Sequence, residues 1–158
     1  MELHGVKEFG FSLPESTYVA DAVVLICFDE RFDAVAGDSL LRAYLKFRGI
    51  AHPDIIKRPG GAHALAMKDG LSLDQPARVV LDQIDISIRL HQSRRAILFM
   101  HQDCGSLGGS AAYPDAGAER RALLESLRRA AAVVRRAFPR LPVELKLATF
   151  DGVYDVGG

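Results

Sequence analysis

Residues 22–28 (Ala-Val-Val-Leu-Ile-Cys-Phe) and 96–100 (Ala-Ile-Leu-Phe-Met) are unbroken apolar runs. Runs this short, rich in branched side chains, suit strands buried on both faces of a parallel sheet. A shorter strand is predicted over 54–57, closed by Pro59-Gly60-Gly61. A last strand is predicted over 143–150, before an Asp151-Gly152 turn. Between these runs the apolar residues take helical spacing. Leu40, Leu41, Tyr44, Leu45 and Phe47 predict a helix over 34–48, stopped by Gly49. Ala77, Val80, Leu81, Ile84 and Ile88 share one helical face over 74–91, with Asp74 and Pro76 as its start. Leu123, Leu127, Ala130, Val134 and Phe138 line a long helix over 116–138, which Asp115 caps and Pro139 and Pro142 end. Its arginines (Arg120, Arg121, Arg128, Arg135, Arg136) lie largely off that stripe and read as a solvated face.

Strands alternating with helices predict an α/β fold, a mainly parallel central sheet flanked by helices. Residues 1–20, with Pro14, read as an irregular N-terminal arm, and 21–158 as a single domain without internal repeats.

Composition narrows the function classes. The chain has 158 residues, 49% of them hydrophobic, enough for a core without covalent staples. Lysine plus arginine and aspartate plus glutamate both number 20. A balanced charge gives no electrostatic reason to expect nucleic acid or an acidic membrane as partner, and it favours self-association. No apolar run approaches the roughly 18 residues of a membrane span. The first residues, Met1-Glu2-Leu3-His4-Gly5, do not read as a leader, so a cytoplasmic location is expected. In a reducing compartment two cysteines near a histidine indicate a metal site or a reactive thiol. The Gly105–Ser110 loop lacks the Gly-Lys-Ser/Thr ending of a phosphate loop.

Both cysteines fall where apolar strands end. Cys27 closes the first strand. His101 closes a later one, and Cys104 follows it. In an open parallel sheet ligands gather beyond the carboxyl ends of the strands, so these two segments can meet. Two thiolates and an imidazole suit one Zn²⁺ per chain and leave a fourth position open, as in catalytic sites. Two thiolates also neutralise the ion, so a nearby acceptor helps to stabilise bound hydroxide. Asp29 is placed to accept that hydrogen bond and Arg31 to hold Asp29 by a bidentate pair. In extended chain the side chains of 27, 29 and 31 point the same way. Each piece alone has a plainer reading: a buried cysteine is a small hydrophobe, and charged loop residues are simply solvated. The coincidence of all of them carries the zinc reading. His63 follows Gly60-Gly61 at the same edge of the sheet, either as a proton shuttle or as a solvated loop histidine.

These residues resemble the β-class carbonic anhydrases. That family carries Cys-x-Asp-x-Arg after its first core strand and His-x-x-Cys-Gly after a later one. Here they read Cys27-Phe28-Asp29-Glu30-Arg31 and His101-Gln102-Asp103-Cys104-Gly105. The segment from Asp54 to Gly61 is similar to the family's second strand and its loop, and residues 143–155 to its last core strand and turn. The resemblance implies Cys27, His101 and Cys104 as zinc ligands and Asp29 with Arg31 as the catalytic pair. Gly60, Gly61, His63 and Gly105 are then candidates for the substrate pocket. The implied reaction is attack of zinc-bound hydroxide on carbon dioxide to give bicarbonate, in a homodimer or a larger homo-oligomer. Related branches hydrolyse carbonyl sulfide or carbon disulfide, and a non-catalytic zinc-binding protein of the same fold is the remaining reading.

Overall fold

The computed structural model describes residues 8–10, 12–35, 37–66 and 75–157. Five strands form one sheet in the order β2-β1-β3-β4-β5. β1 (Ala22–Ile26), β2 (Pro53–Lys57), β3 (Ala96–His101) and β4 (Val143–Thr149) run parallel, and β5 (Gly152–Asp155) runs antiparallel at the edge beside β4. Every residue of β1 and of β3 is buried, as expected of central strands covered on both sides.

The strand period of two divides the core. Val23, Leu25, Leu98, Met100, Leu145 and Leu147 face the helices α2 (Gln75–His91) and α3 (Ala116–Ala137). Val24, Ile26, Ile97 and Phe99 face the short helix α1 (Leu40–Phe47), where Leu41 and Leu45 cover them. Burying each such side chain contributes about 1.5–3 kcal/mol before entropy is counted. Asp115 caps α3 as expected, accepting a hydrogen bond from the Ala118 N–H at 2.7 Å.

The boundaries differ from the sequence expectations at informative places. α1 begins only at Leu40, because Ser39 takes an extended conformation and its Oγ accepts from the Arg42 N–H at 3.2 Å. β1 stops at Ile26, so Cys27 and Phe28 lie beyond the ladder. β5 went unrecognised in the sequence. It has four residues, and only pairing with β4 after the Asp151 turn makes it a strand. The expected helix start at Asp74 lies outside the described residues. Among those residues no helix is long and apolar enough to cross a membrane.

Candidate metal centre

Because four strands run in parallel, the carboxyl ends of β1 and β3 lie side by side, with Leu25 paired to Leu98. The chain after each end carries the candidate ligands. Cys27, His101 and Cys104 are all buried, and one donor atom from each falls within 4.8 Å of the others. Both cysteines are free thiols.

The imidazole is set up as a donor. His101 Nδ1 lies 2.8 Å from the Gln102 carbonyl oxygen, to which it donates, and this fixes the tautomer with the lone pair on Nε2. Nε2 is buried without a hydrogen-bond partner. A buried polar atom left unpaired costs free energy unless something binds it. The Phe32 ring, 1% exposed, packs against the imidazole at a centroid separation of 4.5 Å.

The sulfurs differ in their surroundings. The Cys27 thiol is pulled well below its ordinary value by a hydrogen bond from Cys104, against the effect of burial. The backbone N–H groups of Asp29 and Gly60 add to that pull. Cys104, as the donor, is pushed up, and burial pushes it further. Burial opposes charge on His101, but the Cys27 sulfur and the Gln102 carbonyl outweigh it and raise its pKa. The donor set of two sulfurs and one imidazole, with an orphaned Nε2 among them, fits zinc.

Asp29 and Arg31 meet, though not along an extended chain. Residues 30–32 form a turn, in which the Phe32 N–H donates to the Asp29 carbonyl at 3.1 Å. Turn geometry therefore replaces the expected strand alternation. Arg31 donates from Nη2 to Asp29 Oδ2 at 2.6 Å, from Nε to Oδ1 at 3.0 Å, and from its backbone N–H to Oδ1 at 3.0 Å. Arg31 holds the Asp29 carboxyl below the usual carboxylate range, and both Asp29 oxygens are engaged. The guanidinium also reaches Asp103, with Nη1 2.8 Å from Oδ2 and Nη2 2.9 Å from the backbone carbonyl. One arginine thus ties the chain after β1 to the chain after β3.

The Pro59-Gly60-Gly61 loop closes against the same place. A Cβ on Gly61 would lie 2.5 Å from the Phe99 carbonyl oxygen and 3.0 Å from the Cys27 nitrogen, so the loop sits directly on the strand ends. Gly60 lies over Ser106, in the turn that Gly105 opens after Cys104. His63 falls on the 3-10 turn Gly61–Leu65, and its Nδ1 lies 3.1 Å from Ser126 Oγ of α3.

Asp103, Ser110, Glu119 and Phe32 belong to this region and were not singled out from sequence. Glu119 alone left a usable signal. It lies four residues before Leu123, a carboxylate in phase with the apolar stripe of α3.

No family model and no curated protein sequence matches the chain. Solved structures do. A carbonic anhydrase from Streptococcus mutans superposes with a TM-score of 0.60 at 15% identity, covering 94% of this chain and 88% of that one. A carbon disulfide hydrolase gives 0.55 at 12% identity, covering 87% and 80%. Tetrameric β-carbonic anhydrases from Sordaria macrospora give 0.52 at 12% identity, covering 89% and 82%. The chain has the fold of the β-carbonic anhydrases.

Proposed function

We propose that this chain, with the β-carbonic anhydrase fold, is a zinc enzyme that hydrates carbon dioxide to bicarbonate. One observation carries the reading: three soft-to-borderline donors converge within 4.8 Å, and the histidine nitrogen among them is buried and unpartnered. Cys27, His101 and Cys104 are the ligands. Zinc so held lowers the pKa of a coordinated water and makes a nucleophile available near neutral pH.

The chain's own groups do the rest. Asp29 is the acceptor that orients the attacking water, and Arg31 keeps both its oxygens engaged so that it does not become a fourth ligand. Buried Phe32 lies against His101 and the exposed Phe150 ring stacks on it at 5.5 Å, which gives the site an apolar wall suited to a small linear molecule. Gly60, Gly61 and Gly105 bring backbone rather than side chains to the strand ends beside the site, Gly61 by close packing on Phe99 and Cys27. His63 is a candidate proton carrier at its edge. The apolar wall also favours a second reading, hydrolysis of carbonyl sulfide or carbon disulfide at the same metal. The two buried free thiols suit a cytoplasmic setting. The balanced charge and the tetrameric fold relatives support a homodimer or larger assembly, which light scattering would test.

The test combines elemental analysis with stopped-flow assays. Purified protein is expected to carry about one zinc per chain. The zinc form is expected to hydrate carbon dioxide, with carbonyl sulfide and carbon disulfide assayed beside it. Full zinc content in Cys104→Ala would sink the ligand assignment. A zinc-loaded protein inactive on all three substrates would leave only a binding role.

A further inference from the structure

The turn between His101 and Cys104 reverses the chain within two residues. Asp103 achieves this at φ +56, a left-handed conformation that a non-glycine residue keeps only when its surroundings hold it. Its backbone N–H donates to Glu119 Oε1 at 2.7 Å. Its Oδ1 accepts from the Ser110 N–H at 2.8 Å, and its Oδ2 from Arg31. Gly109 leaves room for that carboxylate, since a Cβ there would come within 2.9 Å of Oδ1.

Glu119 is the unusual member. It is 3% exposed, in the first turn of α3, where the helix otherwise buries apolar residues. Burying a carboxylate is costly unless its oxygens are hydrogen-bonded. Both are: Oε1 to Asp103, and Oε2 to the Ser110 hydroxyl at 2.8 Å. Its partners all lie in the ligand turn and the loop after it. For packing alone an aliphatic side chain would serve α3 better.

We propose that Glu119 is a positioning residue for the metal centre. It pins the Asp103 N–H and Ser110 to α3, fixes the left-handed turn, and thereby sets the separation of Cys104 from His101. α3 is itself packed on β3 and β4, so the carboxylate refers the second cysteine to the sheet that carries the histidine. This rests on the reading of Cys27, His101 and Cys104 as metal ligands.

The test uses the full chain loaded with cobalt(II), whose ligand-field spectrum reports coordination geometry. Release to a chelator and denaturant unfolding are followed in parallel. Glu119→Gln keeps the turn, because its amide oxygen accepts from Asp103 and its NH₂ donates to the Ser110 hydroxyl. Glu119→Leu fits the apolar stripe but leaves the Asp103 N–H without an acceptor. Glu119→Leu is expected to release cobalt about 10–100-fold faster with an altered spectrum, and Glu119→Gln to behave like the wild type. Should Glu119→Leu not fold, Glu119→Asp, one methylene too short, carries the same expectation. A folded Leu or Asp variant with the wild-type spectrum and release rate overturns the proposal. So does a Gln variant as disturbed as the Leu one. A wild-type chain that takes up no cobalt overturns the metal reading itself, which separates that failure from this one.

Discussion

Replacing Gly61 by alanine tests whether the loop over the strand ends is as close as the structure has it. The added Cβ would stand 2.5 Å from the Phe99 carbonyl oxygen, 3.0 Å from the Cys27 nitrogen and 3.4 Å from the Ile26 carbonyl carbon. All three are backbone atoms at the ends of β1 and β3, strands with a neighbour on each side, so none gives way cheaply. Gly61 also sits at φ +55, where alanine is disfavoured by about 1–2 kcal/mol. Overpacking adds roughly 1–3 kcal/mol. The sum is about 2–5 kcal/mol, a large part of the ~5–15 kcal/mol that holds a domain folded. At about 2–4 °C per kcal/mol for a chain of this size, the melting temperature should fall by roughly 4–20 °C. Gly60 provides the control. It too has positive φ, at +75, but its Cβ would meet only the Cβ atoms of His63 and Ser106, at 3.4 and 3.6 Å. Gly60→Ala should therefore cost only the backbone part, about 1–2 kcal/mol. Thermal and denaturant unfolding of both variants, with zinc content measured in each, decides the matter. Gly61→Ala should also hold zinc less tightly, because the loop carries the Gly60 N–H that supports the Cys27 sulfur. Equal stability losses for the two variants would refute the close approach of this loop to the strand ends.

Arg31→Ala should raise the Asp29 carboxyl toward the ordinary carboxylate range, since Arg31 is the main cause of its lowered value. An Asp with a depressed folded pKa contributes stability above its unfolded pKa and loses it as pH falls through the folded one, so the acid-unfolding midpoint should move up. Carboxyl titration by NMR checks the first point, and unchanged values would remove Arg31 as the cause. Phe32→Ala should cost about 3–5 kcal/mol as a buried aromatic truncation. It should also loosen the His101 ring, which denaturant unfolding and the cobalt spectrum would register together. Zinc affinity should tighten as pH rises, because the Cys104 thiol, pushed up by Cys27 and burial, and any imidazolium at His101 must shed a proton to bind it. A chelator competition that gives one affinity from pH 6 to pH 8 would count against the two-sulfur, one-nitrogen ligand set.

The sequence by itself determined the class of fold and pointed to the candidate donors. The unbroken apolar runs at 22–28 and 96–100 supplied two strands covered on both faces, over 22–26 in the first, because nothing in that stretch is polar enough to meet water. Helical spacing in the 74–91 and 116–138 segments supplied the covering faces. Parallel strands, once inferred, put Cys27 and His101 at one edge of the sheet, so a candidate ligand set could be proposed from residue types and strand ends. What the tertiary structure decided is how those donors are held. That Arg31 turns back on Asp29, and spans to Asp103 as well, follows from a turn whose geometry no periodicity encodes. Glu119 lies in phase with the apolar stripe of its helix, but what its carboxylate meets was settled only when the fold laid α3 beside the Asp103 turn. The strand β5 exists only because β4 offers it an edge. Apolar periodicity is a local signal that records which face of an element is buried. Hydrogen bonds between side chains distant in sequence depend on where whole elements are packed, and those partners become neighbours only after the core has formed.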